Sequence, residues 1–103
     1  MALRHIALFR WREGTTAEQI SRVGEALGVL PEAIPELIDY SFGPDEGLSE
    51  GNFDFAVVAD VADAAGYAVY RDHPDHQAAL AVVRPLLAER SALQLEIPDI
   101  DRR

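Results

Sequence analysis

Two segments of this chain alternate as an extended strand does, and both carry apolar side chains on both sides. In residues 3–11, Leu3, His5, Ala7, Phe9 and Trp11 fall on one side, and Arg4, Ile6, Leu8 and Arg10 on the other. In residues 53–61, Phe53, Phe55, Val57, Ala59 and Val61 share a side, while Ala56 and Val58 stand between Asp54 and Asp60 on the reverse. An antiparallel sheet normally hides one face and wets the other. Strands that are apolar on both faces predict a sheet that must be covered twice.

The intervening segments supply one cover. Thr16 followed by Gln19 is a capping-box pattern. It opens a helix with Ile20, Val23, Leu27 and Leu30 along one stripe, ending near Leu30 and Pro31. Residues 31–35, bounded by two prolines, cannot continue a long helix. Residues 37–42 read as a second strand with Ile38, Tyr40 and Phe42 on one face, and residues 43–52, GPDEGLSEGN, as a solvated acidic loop without hydrophobic period. Asp63 can cap a short helix that holds Tyr67 and Tyr70 and stops before Pro74. Pro74 suits the first turn of a helix over residues 75–89, with Ala79, Leu80, Val83, Leu86 and Leu87 inward and a kink at Pro85. Residues 91–97 alternate as a last strand, with Leu93, Leu95 and Ile97 opposite Gln94 and Glu96. The tail, residues 98–103, reads as frayed. This βαββαβ order predicts an α+β, ferredoxin-like fold: a four-stranded antiparallel sheet with its helices on a single face. The predicted cover for the other face is a second copy of the same sheet across a two-fold axis, giving a homodimer with a shared core.

Composition narrows the function. At 103 residues the chain suits a single domain, and an apolar fraction of 49% supplies its core. Eighteen acidic residues against nine basic ones, all arginine, leave a net charge of −9. Without clustered cations, neither nucleic acid nor an anionic membrane is an expected partner. The lack of cysteine excludes disulfides and thiolate metal sites. No long apolar run and no basic-then-apolar leader is present, which predicts no membrane span, no signal peptide and a cytoplasmic location.

The chemistry concentrates in Tyr70-Arg71-Asp72-His73-Pro74-Asp75-His76, which holds two of the three histidines; the third is His5. Histidine exchanges protons near neutrality. His76 falls near the third position of its helix, where the positive end of the macrodipole disfavours the imidazolium while Asp75 pushes the other way. A neutral His76 can serve as a base. Across the proline break the Tyr70 hydroxyl can approach it and donate to an oxygen gaining negative charge, an acid–base pair for enolisation or aldol closure. His5 joins them only if its side of the strand lies under the helices. Phe9, Trp11, Phe55, Leu27 and Leu80 supply an apolar lining for a small apolar molecule between the first helix and the sheet. The competing reading is structural: His76 and His73 as caps, Tyr70 as core with its hydroxyl at the rim, His5 as a satisfied core histidine. A metal site from His73, His76, Asp75 and His5 is the weaker alternative, because the proline break distorts the helical spacing, and no metal or cofactor is predicted.

Three blocks carry a family likeness. His5-Ile6-Ala7-Leu8-Phe9-Arg10-Trp11 with Gly14-Thr15-Thr16, then Gly47-Leu48-Ser49-Glu50-Gly51-Asn52-Phe53-Asp54-Phe55-Ala56, then Tyr70 through Gln77, resemble the stress-responsive A/B barrel (Dabb) family over residues 3–97. The resemblance implies a dimeric α+β barrel. Many members have no assigned activity. One branch, typified by olivetolic acid cyclase, closes linear poly-β-keto thioesters or acids by aldol chemistry without metal or redox cofactor. Its catalytic tyrosine and histidine match Tyr70 and His76, and its first-strand histidine matches His5. A further histidine of that branch falls about where Phe55 stands here, which reduces the polar side of the pocket. Two functions are therefore expected to compete: a cofactor-free cyclase-like enzyme, and a non-catalytic stress-responsive dimer that binds a small apolar ligand.

Overall fold

A computed structural model describes residues 1–99; residues 100–103, the end of the expected frayed tail, lie outside the described residues. The elements run β1 (Ala2–Trp11), α1 (Ala17–Gly28), α2 (Leu30–Ala33), β2 (Leu37–Pro44), β3 (Phe55–Val61), α3 (Ala64–Asp72), α4 (Pro74–Val83) and β4 (Leu87–Ile97), with a 3₁₀ turn at Arg84–Leu86. The four strands form one antiparallel sheet in the order β2-β3-β1-β4. This is the ferredoxin-like α+β arrangement expected from the element order. Among the described residues, no helix is long and apolar enough to cross a membrane.

Local chemistry explains the helix starts. The Thr16 hydroxyl accepts the Gln19 N–H while Gln19 Oε1 accepts the Thr16 N–H, a complete capping box. Asp63 Oδ1 accepts the Gly66 N–H at 2.8 Å and caps α3. His73 closes α3 with its own N–H and opens α4 by accepting the Asp75 N–H on Nδ1, with Pro74 in the first turn behind it.

Three expectations need correction. The helix expected over residues 75–89 ends at Val83, because Pro85 lacks the N–H that would continue it. Leu86 therefore lies in a 3₁₀ turn, and Leu87 opens a final strand four residues longer at its start than the alternation of residues 91–97 indicates. In β2 a register shift between Leu37 and Asp39 breaks the alternation, so Leu37, not Ile38, joins Tyr40 and Phe42 on the core. Phe53 leaves the β3 pattern: its ring lies 4.3 Å beneath the Arg10 guanidinium, away from the Phe55 side.

One face of the sheet is sealed by the helices over Ala7, Phe9, Val57, Ala59, Val23, Leu27, Leu30 and Ile34, all at most 3% exposed. On the other face stand Ile6, Leu8, Val58, Leu93 and Leu95, and the last two are 55% and 41% exposed. Set among them is the bidentate pair of Arg4 with Asp60, at 2.8 and 2.9 Å, the Asp60 side chain being nearly fully enclosed.

Candidate active site

The proline break expected at Pro74 builds the site. Because α3 stops at Asp72 and α4 restarts at Pro74, the first turn of α4 folds back over the end of α3. The Arg71 carbonyl, left without a helical partner, receives two donors from that turn: His76 Nδ1 at 2.9 Å and Gln77 Nε2 at 2.7 Å. A carbonyl only accepts, so the proton of His76 sits on Nδ1 and the lone pair is on Nε2. The His76 ring packs on that of Tyr70 with centroids 4.2 Å apart.

His5 lies on the helix-covered side of β1, the condition set for its joining the others. Its ring centroid is 5.2 Å from Tyr67 and 6.0 Å from Tyr70. Across the β1–β4 ladder, residues paired directly share a face, which places Gln94 beside His5 and Arg90 beside Phe9. The Gln94 side-chain nitrogen donates to His5 Nδ1 at 2.8 Å, and with the amide in that orientation the His5 proton sits on Nε2.

These side chains enclose a cavity of about 440 Å³ between α3, α4 and the β1–β4 half of the sheet. His5, Phe9, Tyr67, His76, Leu80 and Leu87 form part of its wall, together with Arg71, Arg84 and Arg90. Of the side chains expected at a site, His5 and His76 reach the wall, as do Phe9 and Leu80. Tyr70 is 2% exposed and stands behind His76, without contributing to the wall. The Tyr40 hydroxyl is buried with no hydrogen bond of good geometry, and the polar group acting on it is Tyr70. Trp11, Leu27 and Phe55 belong instead to the core at the other half of the sheet, where Phe9, Trp11 and Phe55 pack ring on ring. The cavity thus lies beneath the second pair of helices, not beneath α1. Tyr67 and the arginines are wall residues that the sequence pattern does not single out. Tyr67 carried one signal, its i, i+3 spacing from Tyr70, but the arginines come together only through the fold.

Burial sets the protonation of the site. It pushes the His5 pKa down to about 4, with the Arg90 charge and His76 adding to the effect. It also lowers that of His76, against the opposing bond to the Arg71 carbonyl and in concert with Arg90, Arg84 and His73. Burial raises Tyr70 above the ordinary phenol range. At neutral pH the cavity therefore presents two neutral imidazoles of opposite tautomer, one accepting at Nε2 and one donating there. His73 is used as a cap, and no group of three or more metal-ligating side chains is gathered among the described residues.

The fold defines a class of small ferredoxin-like α+β domains, here with two histidines on the wall of a cavity between sheet and helices. The chain belongs to the Dabb, or stress responsive A/B barrel, domain family, whose model matches residues 3–97. A dimeric ferredoxin-like protein of unknown function from Thermobifida fusca YX is 55% identical, with a TM-score of 0.89 over 94% of this chain and 92% of that one. The hydroxynitrile lyase of Passiflora edulis is 19% identical, with a TM-score of 0.82 over 97% and 96% of the two chains. A Dabb family protein from Mesorhizobium loti MAFF303099 is 22% identical, with a TM-score of 0.72 over 95% and 98%. The last two show the shared fold, which thus carries a lyase in one case. No curated protein sequence matches the chain.

Proposed function

We propose that this protein is a cytoplasmic homodimer and a cofactor-free acid–base enzyme acting on a small, largely apolar carbonyl compound. In the step it is built for, His76 Nε2 takes a proton from the carbon beside a carbonyl. The electron pair of that C–H bond forms a carbon–carbon double bond, the carbonyl π pair moves onto oxygen, and the resulting enolate accepts a hydrogen bond from His5 Nε2–H. Tyr70 holds the base ring in place from behind, and the hydroxyl of Tyr67, at the wall, is the second donor. Enolisation ends there. Aldol closure of a polyketide-like chain adds attack of the enolate carbon on a second carbonyl, followed by return of the proton from His76.

The observation that carries this reading is the bond from His76 Nδ1 to the Arg71 carbonyl, which leaves Nε2 unprotonated on a ring that lines a cavity of ligand size. Deuterium uptake at the α-carbon tests it, using a panel of aryl methyl ketones and aryl 1,3-diketones followed by proton NMR in heavy water. The wild type should accelerate exchange of at least one of them. His76→Ala should lose about 100-fold or more of that acceleration while remaining folded. An equally active, folded His76→Ala protein would remove the catalytic claim in favour of the ligand-binding dimer, in which the His-Pro block only shapes the turn between two helices.

The dimer rests on the open sheet face, where Leu93 and Leu95 stand exposed beside Ile6 and Leu8, and on the relative from Thermobifida fusca, which is described as dimeric. Sedimentation at micromolar concentration should give twice the 11.3 kDa chain mass. Leu93→Asp should shift it toward the monomer, since a charge would be buried unpaired in the apolar centre of the interface. Monomers alone in the wild type would overturn the assembly.

A further inference from the structure

The cavity's charge is opposite to that of the chain. With a net charge of −9 and nine arginines in all, three of those arginines, Arg71, Arg84 and Arg90, stand around a single cavity. Arg71 is committed, since its guanidinium holds Asp72 through two bonds at 2.8 and 3.0 Å. Arg84 and Arg90 make no ion pair and no side-chain hydrogen bond among the described residues. Among the described residues, Asp72, paired with Arg71, is the one carboxylate on the wall. Arg84 follows the end of α4, and Arg90 pairs with Phe9 across the sheet, so the two approach the cavity from opposite layers. The charge of Arg90 acts on His5, Tyr70 and His76 alike, and that of Arg84 acts on His76.

Arg84 and Arg90 are exposed and so meet water, but each still disfavours the imidazolium that forms when His76 takes a proton. A bound anion removes that repulsion. A guanidinium presents its N–H donors in a planar fork that suits a carboxylate. The cavity, at about 440 Å³, has room for one small aryl or alkyl body with a single such head group.

We propose that the substrate of this site is a carboxylate: an apolar carbonyl compound whose anionic end is held by Arg84 and Arg90 while its reacting carbon faces His76. This deepens the acid–base reading above and rests on it for the identity of the reacting carbon, but the charge preference is measured separately. Arg84 and Arg90 are then binding and specificity residues, and their charge offsets that of the enolate formed beside them.

Calorimetric titration of the intact protein with 4-acetylbenzoate, its neutral amide 4-acetylbenzamide, and inorganic phosphate tests this. The acid should bind saturably at millimolar concentration or below, about tenfold or more tighter than the amide. Inorganic phosphate should compete poorly. Arg90→Gln should weaken the acid by about tenfold and leave the amide unchanged, whereas Arg22→Gln, which removes the same charge from the exposed side of α1, should change neither. Arg90→Lys should restore part of the loss, since the charge returns without the fork. Equal affinity for acid and amide, no binding of the acid, stronger competition by phosphate than by the acid, or an Arg90→Gln protein that binds the acid normally would each overturn the proposal. Those results leave deuterium uptake with neutral ketones untouched, so failure of the charge assignment and failure of His76 as base are told apart.

Discussion

The two halves of the helix-covered face are built for different ends. Under α1 and α2, Val23, Leu30 and Ile34 are fully buried against the strands at the β2 end, and the aromatic rings of Phe9, Trp11, Phe42 and Phe55 pack in series. Under α3 and α4, at the β4 end, the same sheet meets a cavity walled by two imidazoles, a tyrosine and three guanidinium groups. The first half is close-packed and removes apolar surface from water. The second gives up packing for polar groups that would be costly to bury without a ligand or water to meet them. Stability should therefore be concentrated in the first half, and pH and ligand sensitivity in the second.

Leu30→Ala should break that comparison hardest. Leu30 is fully buried where α2 meets the core, and its truncation should cost about 2–5 kcal/mol in urea denaturation. Next comes His5. With its folded pKa near 4 against an ordinary 6.5, the unfolded chain binds a proton across that window which the folded chain refuses. Stability should therefore rise with pH between 4 and 6.5 by up to roughly 3 kcal/mol from this residue. His5→Gln should lose correspondingly less stability than the wild type on acidification from pH 7 to 4.5; equal losses would show that His5 is not the buried neutral group described. Thr16→Ala removes the capping box of α1 and should cost about 1 kcal/mol. Smallest of all, Leu80→Ala opens a cavity that already exists, so it should cost under about 1 kcal/mol while changing ligand affinity.

The dense half was the more legible in the sequence. Alternation at His5, Ala7, Phe9 and at Phe55, Val57, Ala59 assigns those residues to one side of a sheet, and the stripe of Val23, Leu27 and Leu30 assigns the helix that covers it. Local signals also placed the capping box, the Asp63 cap and the break at Pro74, because each depends on residues within a few positions. The passage from α4 to β4 is ambiguous in the sequence because Leu86 and Leu87 continue the apolar spacing of α4, and only the missing N–H of Pro85 decides against a longer helix. The polar half was legible in part. His5, Tyr70 and His76 were singled out by residue type, but that Tyr70 would lie behind the wall and Tyr67 on it depends on how α3 is rotated against β1. Trp11, Leu27 and Phe55 read as pocket lining in the sequence but fill the core, because apolar residues look alike whether they line a cavity or pack an interior. Arg84 and Arg90 were invisible, being brought to His5 and His76 only by the register of β4 on β1.

The state of the His76 ring tests the account most directly. Long-range ¹⁵N–¹H correlation spectra of imidazole-labelled protein, recorded across a pH series, report for each histidine which nitrogen carries the proton and where the ring titrates. For His76 the geometry predicts the Nδ1–H tautomer at neutral pH and a midpoint below 6.5, with Nε2 free to accept a proton. An Nε2–H tautomer, or a ring that is already cationic at pH 7, would contradict it.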